Sequence, residues 1–247
     1  MGAELTVTTG RPVPSAEAIE RHPHLAEDRP EGTVRVDLHT HTMWSGDSTT
    51  TPEEVAEAVA ASALDVLCIT DHNAIAGAVR LADELDCRVV IGEEVKTHAG
   101  EIIGLFLTER IPIGLQPIAV CEAIRAQGGI VYIPHPFDPM RSCINAEVLD
   151  DLVGRGLVDA IEVRNGKTSL EHLNRRAAEY AADHGLAPGG GSDAHVPEAL
   201  GAVYAEIDDF DDGPSFLAAL HRSRVVGHHF DEPRRWRPRI VPSVKTI

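Results

Sequence analysis

Positive charge is scarce in this chain. Its 22 lysines and arginines face 39 aspartates and glutamates, a formal net charge of -17 over 247 residues. Repulsion on that scale opposes a general nucleic-acid or anionic-membrane surface, although a local site can still be positive, above all if cations sit in it. A nucleic-acid partner is therefore not expected, while a small phosphorylated substrate stays open. Paired cysteines are missing too. Cys68, Cys87, Cys121 and Cys143 are scattered with no CxxC, and Cys68 lies in the apolar run DVLCIT, the setting of a buried, reduced thiol. No apolar run reaches the about 18 residues of a membrane span, and MGAELTVTTGRPVPSAEAIE has no basic start followed by an apolar stretch. These absences predict a cytoplasmic protein with no membrane partner and leave the oligomeric state open. No repeat or long linker is present, and the length suits one sizeable core, within the range of a single α/β barrel of about 250 residues.

What is there alternates. After an arm of some 33 residues that mixes Pro, Glu and His without period, VRVDLH predicts a strand and TPEEVAEAVAASA a helix, with Thr51 as N-cap, Pro52 first in the helix and Glu54 closing a capping box. His22 and His24 in the arm are expected to be solvated. Short continuous apolar runs then alternate with helical ones: LDVLCIT, AIAGAVRLADEL, CRVVIGEEV, EIIGLFL, PIAVCEAIRAQ, GIVYIP, NAEVLDDLVGRG, VDAIEVRN, SLEHLNRRAAEYAADHG and LAPGGGSDAH. Such repetition implies a parallel sheet, open or closed into a barrel. AVYAEI predicts one more strand, and GPSFLAALHRSRVVG a helix running into a last turn. Residues 231–247 form a basic tail, expected to pack on the protein's own surface or on a neighbouring subunit.

The chemistry falls at strand ends. In DLHTHTMWSGDS the residues His39 and His41 share a face, since positions i and i+2 of a strand do, and that makes a plausible first pair of metal ligands. Asp71 and His72 follow the second strand, Glu94 the third, His135 follows GIVYIP, and Asp193 and His195 follow LAPGGGS. Parallel α/β folds build their sites where the carboxyl ends of strands converge. Imidazoles with carboxylates and no thiolate suit Zn, Mn or Fe, and there are too many ligands for one tetrahedral ion, so two or three divalent metal ions are expected. Glycines 189 to 191 lack the Lys-Ser/Thr ending of a phosphate loop and predict a tight turn.

DLHTHTMWSGDS, ITDHN, GEEV, IPHPFDP and GSDAH resemble, in order and content, the motifs of the polymerase and histidinol phosphatase (PHP) family of metal-dependent phosphoesterases, over roughly Val34 to Leu200. The resemblance implies a distorted barrel of seven β/α units occupying residues 34–230, with the metals at the C-terminal ends of its strands. It implies that His39, His41, Glu94 and Asp193 surround one metal, that Glu94 bridges to a second also bound by His135, and that Asp47, His72 and His195 hold a third. Asp71 would orient a ligand. Many members place a histidine where this chain has Glu101, which can ligate and would favour Mn or Fe over Zn, or can cap its strand. His98 is an alternative ligand or proton donor.

A hydroxide bridging two such cations needs little further activation to attack phosphorus. Arg141, Arg164, Asn165 and Lys167, on loops at the same end, are candidates to grip the phosphate. The expected activity is hydrolysis of a small-molecule phosphate ester. A nuclease or proofreading phosphodiesterase is the alternative, and a C–N hydrolase of amidohydrolase type or a metal-holding domain without turnover are minor ones.

Overall fold

The apolar runs form strands because both of their faces are covered. The computed structural model describes residues 11–233, so all but the first three residues of the expected tail lie outside the described residues. Nine strands are present among them: β1 (Thr33–Thr40), β2 (Val66–Ile69), β3 (Arg88–Thr97), β4 (Gly100–Leu105), β5 (Ile130–Ile133), β6 (Ala160–Asn165), β7 (Ala187–Gly191), β8 (Val203–Asp208) and β9 (Arg224–Gly227). Alternate residues separate two environments. Val36, Leu38, Val66, Cys68, Ile103, Tyr132 and Ala160 fill one core cluster inside the curved sheet. Leu67, Ile69, Ile102, Val131, Ile133 and Ile161 face outward into two further clusters made with the helices.

Those helices are α1 (Ala16–Arg21), α2 (Pro52–Ser62), α3 (Ala76–Ala82), α4 (Pro117–Ala126), α5 (Ala146–Gly154), α6 (Glu171–His184) and α7 (Gly213–Leu220). The predicted capping box forms: Thr51 Oγ1 accepts from Glu54 N, and Glu54 Oε2 accepts from Thr51 N. Reciprocal capping satisfies two otherwise orphaned donors and fixes where the chain leaves the loop that carries Asp47.

The strands make one nearly closed, distorted barrel in the order β7-β6-β5-β4-β3-β2-β1-β8-β9. It is not purely parallel, as the alternation suggested. β4 joins β3 by a tight hairpin and runs antiparallel to both β3 and β5, and β8 is antiparallel to β1. A two-residue connection such as His98–Ala99 leaves no room for a crossover helix, which dictates the reversal. The expected final turn is instead strand β9, paired with β8. β1, β2, β3, β5, β6 and β7 nevertheless point the same way, so their carboxyl ends share a rim.

Closure occurs at that rim. Asp193 N donates to His39 O at 2.7 Å and His41 N to Ala194 O at 3.0 Å, just past the end of β7. Glycines 189 to 191 are strand rather than turn. A Cβ on Gly191 would lie 2.4 Å from His39 Cβ, and one on Gly189 2.7 Å from Tyr132. Only a strand without side chains can pass this near its neighbours.

The described part of the N-terminal arm packs on the barrel. Ser15 caps α1, Ala18 and Leu25 enter the outer core beside Val55 and Val59, and Arg35 donates to Leu25 O and Glu27 O. His22, expected to be solvated, is 1% exposed, and His24 is also turned inward, donating to Gly201 O. The four cysteines are unpaired, with Cys68 fully buried.

Candidate metal centre

Strands β1, β3 and β4 and the loops after β1, β2, β5 and β7 bring the candidate ligands together at the rim. His39 Nε2 and His41 Nε2 lie 3.0 Å apart. Glu94 Oε2 is 3.4 and 3.3 Å from them, and Asp193 Oδ1 is 3.7 and 3.4 Å. Four ligands about 2.1 Å from one tetrahedral ion are about 3.4 Å from each other. These atoms therefore have the spacing of a coordination shell, not of a hydrogen-bond network. On one side His135 Nε2 is 3.2 Å from Glu94 Oε1 and 3.6 Å from Glu101 Oε2. On the other, Asp47 reaches His72 Nε2 at 3.1 Å and His195 Nε2 at 3.5 Å. His72 Nδ1 is buried and makes no hydrogen bond although Glu94 Oε2 is 3.0 Å away, as expected of two atoms that face one cation. Four sets of three or four ligand atoms result, and His39, His41, His72 and Glu94 each belong to two of them. The residues present fit more than one divalent ion.

Other side chains hold the ligands in place. His39 Nδ1 is 3.3 Å from Glu162 Oε1 and His41 Nδ1 is 2.9 Å from Ser45 Oγ; protons on both Nδ1 atoms satisfy these contacts and leave both Nε2 lone pairs free. Glu162 also accepts from His135 N at 2.6 Å and from Asn165 Nδ2 at 2.9 Å, and Asn165 Nδ2 lies 3.3 Å from Asp193 Oδ2. One buried carboxylate thus touches His39 and His135 directly and Asp193 through Asn165. In sequence Glu162 shows only as a charged residue in an apolar run, with nothing to mark this role. Asp37, buried in β1, accepts from Ser192 N at 2.9 Å and from His39 N at 3.3 Å. His135 (φ 28) and Asp193 (φ 53) are held in the left-handed region, a strain that non-glycine residues sustain where surrounding contacts over-determine them.

Burial penalises every charge here, and the neighbours decide which groups keep theirs. Against burial, Lys167 and His39 hold Asp193 far below the usual carboxylate range, His39 and His135 do so for Glu94, and His195 and His72 for Asp47. Burial and nearby His195 lower His41 to about 4, which leaves it neutral and able to ligate. His72 goes the other way, to about 10, because Asp47 and Glu94 outweigh burial. Glu101, pushed up to about 7 by burial and then by Glu94, is the carboxylate of the cluster that most readily takes up a proton near neutral pH.

The cluster opens into a cavity of about 180 Å³ lined by Asp47, His72, Glu94, Glu101, His135, Asp193 and His195 together with Lys96, Met140, Arg141, Ser142 and Lys167. Arg141 and Lys167 are on its wall as expected, and Arg141 Nε is buried without a partner. Other expectations need correction. Asn165 is behind the ligands with its amide nitrogen already engaged. Arg164 turns outward and pairs with Glu171 at 2.7 Å. Asp71 orients no ligand ring; both its oxygens accept from Thr42, N and Oγ1 at 2.7 Å, and so fix the loop that follows His41. His98, at the β3–β4 hairpin, lines a separate groove with Phe137 and Arg176 and belongs to none of the four ligand sets.

Residues 171–225, from α6 into β9, match the family model described as PHP-associated. Two uncharacterized proteins of Methanocaldococcus jannaschii are similar to this chain. One is 39% identical over 156 residues, covering 58% of this chain and 91% of the relative, and the other 34% over 178 residues, covering 71% of each. The error-prone DNA polymerase of Mycobacterium tuberculosis is 40% identical over 82 residues, 29% of this chain and 8% of the polymerase. Among solved structures, a two-domain protein from Bacteroides vulgatus containing a predicted PHP-like metal-dependent phosphoesterase shares the fold, with a TM-score of 0.65 at 20% identity over 82% of this chain and 70% of that one.

Proposed function

The chain belongs to the PHP family of metal-dependent phosphoesterases, and on that premise we propose that it hydrolyses a phosphate ester of a small molecule, such as a nucleotide, a sugar phosphate or an amino-alcohol phosphate. The observation that carries this reading is that ligand sets joined through Glu94 share one cavity with Arg141 and Lys167. Divalent cations held there would supply charge neutralisation at phosphoryl oxygens and a water made nucleophilic near neutral pH. The chain's own part is to hold and to orient. His39 and His41 keep their protons on Nδ1, turned toward Glu162 and Ser45, and Glu94 and Asp193 stay ionised. Arg141 offers a two-pronged donor to the phosphoryl oxygens and Lys167 a point charge.

Cavity size bears on the substrate. About 180 Å³ falls below the roughly 300–1,000 Å³ of pockets that enclose a whole ligand. The site takes the phosphoryl group and leaves most of the alcohol outside, past Met140, which is 80% exposed at the rim. The likeness of one segment to an error-prone DNA polymerase favours a second reading, a nuclease-type phosphodiesterase. The net charge of -17 weighs against it. Glu94 stands where an amidohydrolase would need a metal-bridging lysine, which weighs against C–N hydrolysis, and the complete ligand sets weigh against a domain without turnover.

The deciding experiment reconstitutes the protein with Mn, Fe and Zn. It then measures phosphate release from mononucleotides, cyclic nucleotides, nucleotide bisphosphates, sugar phosphates and histidinol phosphate, beside cleavage of a DNA oligonucleotide. Release from at least one small ester, abolished by chelation, is the expected result. Cleavage of the oligonucleotide alone replaces this reading with the second.

A further inference from the structure

The last described segment, beyond β9 and beyond the matched family region, reaches back to the cavity. His228 N donates to Ala202 O at 3.0 Å, and Phe230 N donates to Gly166 O at 2.8 Å, where His229 Nδ1 also donates at 3.0 Å. His228 Nε2 is 3.0 Å from His22 Nδ1, and His22 Nε2 donates to Glu198 O at 2.8 Å, which ties the segment to the N-terminal arm. So anchored, residues 228–232 form a strap over the loops that follow β6 and β7. At its end Glu232 Oε1 accepts from His195 N at 2.8 Å and Glu232 Oε2 is 3.4 Å from Lys167 Nζ.

Lys167 depends on that contact. Its Nζ is 2.6 Å from His195 Nδ1 and 3.9 Å from Asp193 Oδ1, and its side chain is 12% exposed. A lysine is a flexible point charge on four methylenes, and with carboxylates only inward of it, it would move toward them and away from the mouth. The loop itself is pinned at Gly166, which packs so close to Ser192 that a Cβ there would meet Ser192 O at 2.6 Å and whose carbonyl accepts from Phe230 N and His229 Nδ1. We propose that Glu232 is a positioning residue, and that by holding Lys167 at the cavity wall the strap makes the phosphate-binding face of the site. The proposal rests on the reading of the cavity as a phosphate site. Glu232 touches neither the phosphoryl group nor a cation; it acts through Lys167, its other oxygen being held by the backbone N–H of His195.

The test titrates the metal-loaded full chain with inorganic phosphate by calorimetry, with steady-state kinetics on the best ester and metal analysis of the same preparations. Glu232→Ala is expected to weaken phosphate binding about tenfold, the scale of one hydrogen bond involving a charged group, and to raise KM by a like factor. kcat should stay within about threefold and metal content should not change. Glu232→Gln, whose single oxygen can keep one of the two contacts while its NH2 faces the other donor, should recover the loss only in part. In a Lys167→Ala background, Glu232→Ala should add nothing, because contacting residues are non-additive. Additive losses, or loss of a metal equivalent in Glu232→Gln, overturn the proposal, as does failure of phosphate to bind the parent. If phosphate binds with the expected non-additivity yet no ester is turned over, the strap stands and the hydrolase reading falls.

Discussion

Two pairs of histidines in this chain have the same spacing and opposite fates. His22 and His24 are separated by one proline, His39 and His41 by one threonine, and the structure turns all four inward. In the first pair, His22 donates to Glu198 O and meets His228, and His24 donates to Gly201 O. Three of its four ring nitrogens are spent on backbone carbonyls and another imidazole, and the product is a clasp between the two ends of the described chain. In the second pair both Nε2 atoms converge on one point that Glu94 and Asp193 also face. Carboxylates supplied from elsewhere in the fold, rather than spacing, make the difference: an imidazole whose far nitrogen is hydrogen-bonded and whose near nitrogen faces ionised oxygens is arranged as a ligand.

Mutation of each pair probes the contrast most strongly. His39→Ala with His41→Ala should remove metal from the centre and lower kcat by at least about a thousandfold, as loss of essential charge stabilisation does in other enzymes. The far-UV circular dichroism should stay that of the parent, because the barrel core does not depend on an ion as a small zinc domain does. His22→Ala with His24→Ala should keep the metal content. Metal analysis and turnover of both double variants decide it, and equal metal loss from the two would erase the distinction.

Arg141 comes next in size. Arg141→Ala should lower kcat/KM by about one to three orders of magnitude at unchanged metal content, since a guanidinium is no metal ligand and two charge-assisted hydrogen bonds are at stake. Lysine at that position should rescue only in part. Lost metal would instead make Arg141 a support of the ligand loops. Smaller again is Glu162→Gln, which keeps the acceptor toward His135 N and removes the charge facing His39 Nδ1. About 10- to 100-fold weaker metal binding is expected, the usual scale for a partner that orients a ligand. Unchanged affinity in a chelator competition would show that His39 needs no such partner.

How much of this was legible follows the same physics. Of the nine ligand candidates, His39, His41, His72, Glu94, His135, Asp193 and His195 stand at or just past the end of an apolar run, whereas Asp47 and Glu101 were suggested only by the family resemblance. What supports them was hidden by departures from simple periods. The pairing of β6 with β7 slips between Glu162 and Arg164, so Glu162 and Asn165, on opposite faces under strict alternation, meet at 2.9 Å. That slip sets Asn165 behind the ligands, while Arg164 pairs outward with Glu171, where the sequence had offered both as phosphate contacts. The reversal at β4 was hidden because a strand covered on both faces has the same apolar run in either direction. Glu232 gave no signal at all, since only the fold brings it near Lys167.

The clasp supplies the smallest effect and the one with a defined pH window. Burial, then His228, His24 and Arg21, lower His22 to about 3 from an ordinary value of 6.5, so the folded protein keeps this ring neutral where the unfolded chain protonates it. A histidine depressed in this way contributes stability that is fully present above pH 6.5 and is lost as the pH falls from there toward 3. Urea unfolding at pH 7 and pH 5, on the parent and on His22→Gln, isolates its share of the pH dependence from that of the metal centre, which both proteins retain. The parent should lose about 1 kcal/mol more than the variant between the two pH values, a modest part of the limit of about 1.4 kcal/mol per pH unit for one proton. Parallel losses would mean that His22 takes up its proton in the folded state as easily as in the unfolded one, and that the clasp holds through packing against Phe230 rather than through a neutral imidazole.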